Sequence, residues 1–255
     1  MTFEPTLSPV PWTERLRFRY RGFKAQWRSQ RAEIAALVRG VAPDGVLVDV
    51  GANKGSYLPA LAAAVPQGAV FAFEPQALLA AYLSRLTAAC GLHNVQVVHA
   101  GCSDAAGVLP LAIPGQADSS PGASFAPAVA QREACRFVDV AVVRLDEFFA
   151  AETRPIAGLK IDVEGHELAV LRGAADLIAR HRPVIVCECE QRHLVDARVD
   201  DVFALLAGWG YAGWFSDNRR LRPVESFDAS LHQPTQGERF WDRADYFNNF
   251  VFMPR

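Results

Sequence analysis

Five short apolar runs alternate with helical patterns between residues 46 and 208, and that alternation leaves this chain few ways to fold. VLVDV (46–50), AVFAFEP (69–75), VQVVHAG (95–101), GLKIDVEG (158–165) and PVIVCECE (183–190) are the runs. SYLPALAAAV (56–65), QALLAAYLSRLTAAC (76–90), HELAVLRGAADLIARH (166–181) and a stretch near 197–207 read as helices, with Pro59 placed where a first turn tolerates it. Runs that are apolar on both faces suit parallel strands covered by helices on either side, and the alternation indicates βαβ units. GYAGWFSD (210–217) and YFNNFVFMP (246–254) have no helix signal between them and pair more easily as antiparallel neighbours. The expectation is an α/β, Rossmann-like sandwich of seven strands, five parallel plus a C-terminal antiparallel pair, in one domain over residues 44–255.

The alternation is interrupted once. VLPLAI (108–113) and RFVDVAVVRLDEFF (136–149) read as strands flanking a Gly/Pro/Ser/Ala insertion near 114–135. A loop of that length inside a compact domain is functional or disordered, and a lid or substrate-side loop is expected. Residues 1–43 read as a proline-rich arm followed by a helical extension. Seven basic residues from Arg15 to Arg31 interleave there with Phe18, Tyr20, Phe23 and Trp27. The expectation is a solvated basic face with its aromatics packed on the main domain; contact with a membrane surface or RNA is the alternative.

The formal net charge of −2 gives the molecule as a whole no grip on nucleic acid or anionic lipid. Neither a nucleic acid nor a membrane is expected as a partner, whereas a homo-oligomer is compatible with the sequence. Five cysteines without framework spacing suggest reduced thiols. Cys187 and Cys189 form a lone C-x-C that suits the core better than zinc. With no signal-like start and no bilayer-length apolar run, a cytoplasmic protein is expected.

Ligands of open parallel sheets bind at the carboxyl ends of the strands. Here those ends carry Asp49-x-Gly51-x-Asn53-x-Gly55-Ser56, Glu74-Pro75, Ser103-Asp104, Asp162-x-Glu164-Gly165-His166, and Glu188 with Glu190. Glycines let a ligand approach the backbone, and an acid ending the second strand about 20 residues on accepts ribose hydroxyls. A dinucleotide needs G-x-G-x-x-G to seat its pyrophosphate, whereas this turn is G-x-N-x-G. Asp49 beside that turn suits the ammonium and sulfonium charges of S-adenosylmethionine better than a pyrophosphate.

DVGANKGSY, AFEP, CSDAAG, LDEFF and above all LKIDVEGHELAVLRGA, followed by RPVIVCE, resemble the FkbM family of S-adenosylmethionine-dependent methyltransferases over about residues 44–191. The resemblance implies the seven-stranded methyltransferase fold and methylation of a hydroxyl oxygen on a small molecule, a sugar or a secondary metabolite. Matched position by position, Asp49, Gly51, Asn53 and Gly55 fall in the cofactor turn and Glu74 on the ribose. Ser103 and Asp104 lie beside adenine, and Asp162, Glu164 and His166 form the fourth-strand signature.

Methyl transfer to oxygen requires alignment and removal of a proton from a weak nucleophile. His166, whose imidazole is largely neutral at cellular pH, is the first candidate base, with Asp162 and Glu164 beside it. Asp162, Glu164, Glu188 and Glu190 also offer oxygen ligands for Mg²⁺, which is admissible but not favoured. The rival readings are an N- or RNA-methyltransferase, a non-catalytic adenosyl-ligand binder of the same fold and, third, a NAD-dependent dehydrogenase.

Overall fold

The structure, a computed structural model, describes residues 10–132, 134–216, 220–236 and 239–255. Most of the proline-rich arm and Asp217, at the end of one expected strand, lie outside the described residues. The chain enters through helix α1 (Trp12–Lys24), a π-helical turn (Ala25–Ser29) and α2 (Arg31–Val38). There follow β1 (Val46–Val50), α3 (Leu58–Ala64), β2 (Ala69–Phe73), α4 (Ala77–Ala89) and β3 (Val95–Val98). Next come β4 (Gly101–Cys102), β5 (Gly107–Pro114), α5 (Pro127–Arg132), β6 (Cys135–Val143) and α6 (Leu145–Phe148). The chain continues through β7 (Ile156–Asp162), α7 (Glu167–Arg172), α8 (Ala175–His181), β8 (Val184–Glu188) and α9 (Val199–Gly208). It closes with β9 (Tyr211–Ser216), β10 (Leu221–Pro223), α10 (Ala229–His232) and β11 (Asn249–Pro254).

The main sheet runs β10-β9-β11-β8-β7-β1-β2-β3. Its five strands from β3 to β8 are parallel, while β11 lies antiparallel between β8 and β9. The sheet thus has eight strands where seven were expected. The extra one, β10, is a three-residue edge strand against β9 that ends in proline, too short to carry an alternation of its own. One face packs Val48, Phe73, Ile161 and Phe250 against α6 to α9. The other packs Leu47, Val70, Val186 and Val251 against α1 to α4. No helix among the described residues is long and apolar enough to cross a membrane.

Three local expectations give way to tertiary packing. The third run is cut at Val98; Gly101 and Cys102 instead pair with β6 in a second sheet of order β4-β6-β5. LDEFF does not extend a strand but makes α6. Asp146 there accepts the Leu177 amide, 2.8 Å away, and so caps α8, and it pairs with Arg144 at 3.0 Å. The helix expected over 166–181 breaks into α7 and α8 around Gly173. A β-carbon on Gly173 would come within 2.0 Å of the Ser103 carbonyl oxygen, so only glycine allows the two segments to meet.

The decisive cross-strand contact joins β1 to β7. Asp49 and Lys160 are register partners, and Lys160 Nζ lies 2.9 Å from Asp49 Oδ1 and 3.4 Å from Asp162 Oδ2. It also donates to the Gly51 carbonyl at 2.8 Å, with the Tyr57 ring 5.5 Å away. Burial alone would lower the lysine pKa; the charges of Asp49 and Asp162 reverse that and hold it above the usual range. Removing one partner from a buried ion pair strands the other charge, at about 3–5 kcal/mol. Lys160→Met should therefore lower the unfolding free energy by about that amount in urea titrations. A loss below about 1 kcal/mol would show that the pair does not brace the sheet.

Candidate active site

The winding of the sheet reverses between β1 and β7, and at their carboxyl ends lies a cavity. Gly51, Asn53, Glu74, Pro75, Asp162 and Glu164 all line it. Gly51 adopts φ +78°, and a β-carbon there would meet the Asp162 carbonyl oxygen at 1.8 Å, so the two strand ends touch through glycine alone. Glu74 accepts the Asn53 amide at 2.7 Å and the Gln76 amide at 2.9 Å. Each of its oxygens keeps a lone pair for a ligand. Burial raises the Glu74 pKa, and those two amides counter the rise. Three carboxylates line this cavity, and none of its lining residues is a lysine or arginine.

The insertion expected near 114–135 forms the opposite wall. Gln76 holds it through a paired contact, donating to the Ser120 carbonyl at 3.0 Å and accepting the Ser120 amide at 2.8 Å. Ser124 pairs with Ala112 and donates its hydroxyl to the Glu164 carbonyl at 2.7 Å. Pro121, Ala123 and Phe125 thereby face the cavity.

A second, wider cleft lies beyond Pro121 and Glu164, which line both spaces. Glu188, Glu190, Arg192, His193 and Trp241 line it further. Glu164 adopts φ +54°, an uncommon conformation for a residue with a side chain, and Glu164 Oε2 lies 2.8 Å from His193 Nδ1. Burial raises the pKa of Glu164, against the lowering contact with His193. Burial likewise raises Asp162, opposed by Lys160, and lifts Glu188 well above the carboxylate range, aided by Asp162. Glu190 is also desolvated, but hydrogen bonds from Arg192 and Tyr246 hold it below its ordinary value.

Other expected site residues take different places. Asp49 is buried in its pair with Lys160 and does not line the cavity. Gly55 is packed among Phe18, Leu58 and Leu83, and neither it nor Ser56 lines either space. Ser103 and Asp104 stand behind Gly101 and Cys102, which take the wall position. His166 turns toward Ser103, its Nε2 2.9 Å from the Ser103 hydroxyl oxygen and its ring against Phe125. Burial lowers its pKa, with Asp104 pulling the other way. It lines neither space. Cys187 and Cys189 are buried in the core.

Lys160, Gln76, Ser124 and His193, which brace or line these spaces, were not among the expected site residues. Lys160 alone left a signal, as a cation inside an apolar strand; QRH (191–193) matches no motif.

Among the described residues, one group of three side chains brings possible metal-ligand atoms within 4.8 Å of one another: Glu164, Glu190 and His193. It differs from the four acids proposed above for Mg²⁺. Glu190 is neutralised by Arg192, Glu164 faces an imidazole, and an imidazole ligand suits Mg²⁺ poorly, so the donor set fits that ion badly.

A mostly parallel sheet of this order, with an antiparallel strand inserted near one edge and a strand-end crevice at its reversal, defines a protein of the methyltransferase fold class. A Clostridium thermocellum protein described as a candidate rRNA methylase shares it with TM-score 0.50 and 11% identity, over 89% of this chain and 97% of that one. The FkbM methyltransferase of Methylobacillus flagellatus superposes with TM-score 0.46 and 18% identity, over 83% of this chain and 44% of that one. Residues 49–212 match the Methyltransferase FkbM domain, and the chain belongs to that family. Methyltransferase sdnD of Sordaria araneosa is 34% identical over 153 residues, which are 50% of this chain and 59% of that protein.

Glu167, the first residue of α7, accepts the Gly165 amide at 2.8 Å and so braces the Glu164–Gly165 turn from below. Burial pushes its pKa up to about 8 from 4.5. Between those values the folded chain holds a proton that the unfolded chain has released. Stability should therefore fall as pH rises from about 4.5 to about 8, by up to about 1.4 kcal/mol per pH unit. Urea melts across that window should show the slope, and Glu167→Gln should flatten it.

Proposed function

We propose that the chain is an S-adenosylmethionine-dependent O-methyltransferase acting on a hydroxyl of a small polar acceptor, such as a sugar or a secondary metabolite. The observation that carries the cofactor reading is the charge of the inner cavity. Glu74, Asp162 and Glu164 line it without a lysine or arginine among the lining residues, a wall that repels a pyrophosphate and suits a cationic ligand. Glu74 would take the ribose hydroxyls on its remaining lone pairs, Leu111 and Phe125 would flank the adenine, and Asp162 would face the ammonium group. When bound, S-adenosylmethionine supplies an activated methyl group.

The outer cleft is the acceptor space in this reading, because it meets the inner cavity at Glu164. Its carboxyl groups, together with Arg192 and His193, offer hydrogen-bond partners for hydroxyl groups. His193, rather than His166, becomes the base. With Glu164 against Nδ1, the proton of a neutral ring sits on that nitrogen, leaving Nε2 to accept one from the acceptor hydroxyl. Glu164 fixes the tautomer and stabilises the cation that forms.

Two measurements test this. Glu74→Ala should weaken S-adenosylhomocysteine binding by at least about tenfold in calorimetry, the cost of a hydrogen bond to a charged group. Undiminished binding would remove the ribose assignment. His193→Asn should leave that affinity intact and slow turnover of a methylated acceptor by about 10²–10⁴-fold. If His166→Ala instead gives the larger loss in turnover, the base is misassigned.

A further inference from the structure

Helix α1 carries its apolar residues on both sides. Phe18 and Gly22 at its inner side are buried, as is Ala25 at the start of the π-helical turn; Phe18 reaches Gly55, Gly22 packs on Pro59, and Arg21 donates to the Tyr82 hydroxyl at 2.8 Å. The outer side carries Trp12, Leu16, Tyr20 and Phe23, spaced to share one face, with Trp27 in the π-helical turn beyond. All five are 55–72% exposed. The aromatics were expected to pack on the main domain; of the four named, only Phe18 does.

At 3.6 residues per turn, Arg15 and Arg19 fall on one flank of this stripe and Arg17 and Lys24 on the other. All four are exposed, and none has an ion pair among those recorded for the described residues. From residue 11 to residue 32, Glu14 is the only acid. The face is therefore an aromatic ridge about 16 Å long between two rows of cations, on a molecule whose net charge is −2. It is preformed, because the inner side of the same helix is fixed to α3 and α4.

The geometry points to an anionic lipid bilayer as the occupant of this face, with α1 lying in the plane of the interface. Indole and phenol rings favour the headgroup level, and flanking arginines and lysines meet the lipid phosphates there. A second copy of the chain would bring cations against cations. A polynucleotide needs a groove that tracks its backbone, whereas a lone surface helix is convex.

The test is co-sedimentation of the full chain with vesicles of phosphatidylcholine alone and with 30 mole per cent phosphatidylglycerol (about one lipid in three charged). Binding should occur to the charged vesicles, be absent with the neutral ones, and fall as salt is raised. Replacing Arg15, Arg17, Arg19 and Lys24 together by Gln should weaken it on the order of 100- to 1000-fold. Trp12→Ser with Phe23→Ser and Trp27→Ser should also abolish it. Both variants should keep the circular dichroism and S-adenosylhomocysteine affinity of the parent. Absence of vesicle binding, binding unchanged in both variants, a dimer that the aromatic variant splits, or variant-sensitive binding to single-stranded RNA without vesicle binding would each overturn the proposal.

Discussion

The ends of β1 and β7 carry two acids, Asp49 and Asp162, at the point where the sheet reverses and the cavity opens. Left alone, a buried and a half-buried carboxylate on adjacent strands would repel one another and push the strands apart. Lys160 sits between them, within 2.9 Å of one and 3.4 Å of the other, and takes the Gly51 carbonyl as well. One cation thus fixes the register of the two central strands, the start of the glycine turn and the position of Asp162. Asp49 is spent on this interior task, and the acids left to face the cavity are those on later strand ends.

The long insertion depends on that frame rather than contributing to it. Its hydrogen bonds to the core run from the Gln76 amide to Ser120 and from the Ser124 hydroxyl to the Val163 and Glu164 carbonyls, and Phe125 adds an apolar contact with the His166 ring. Both anchors begin at residues beside a strand end that already faces the cavity. A loop so attached follows the site closely, and shifting Ser124 would disturb the backbone of Glu164. This explains how a segment rich in Gly, Pro and Ser can form an ordered wall between two spaces without a large core of its own. Ala123 and Phe125 of the segment pack on a small buried cluster of Leu111, Ile113 and Val140 from β5 and β6.

The periodicity of the sequence was sufficient for the parallel strands, because each is covered on both faces and so reads as an unbroken apolar run. It failed where a neighbour decides the outcome. The helix at 166–181 has an unbroken helical pattern, and only the approach of the Ser103 carbonyl to Gly173 divides it. LDEFF has the apolar content of a strand, yet Asp146 is taken up as a cap for a helix thirty residues further on. Strand-end position is enough to bring Gly51, Asn53, Glu74, Asp162 and Glu164 to the cavity wall, since that position follows from the fold. It could not find His193, which arrives through a short turn after β8, nor tell that Asp49 and His166 point away from the crevice.

The conformation of Glu164 ties these observations together. A residue with a side chain is held in the left-handed region only where its surroundings fix it, and here three contacts do so. Ser124 takes its carbonyl, Glu167 takes the amide that follows, and His193 meets its carboxylate. That conformation places one acid at both spaces, and burial holds Glu167 beneath it, with its pKa pushed up to about 8, so that a second charge is not pressed against it. The block around KIDVEGHE joins fold and site for the same reason: its lysine holds the sheet, its first acid closes the crevice, and its backward turn aims the next acid at the imidazole.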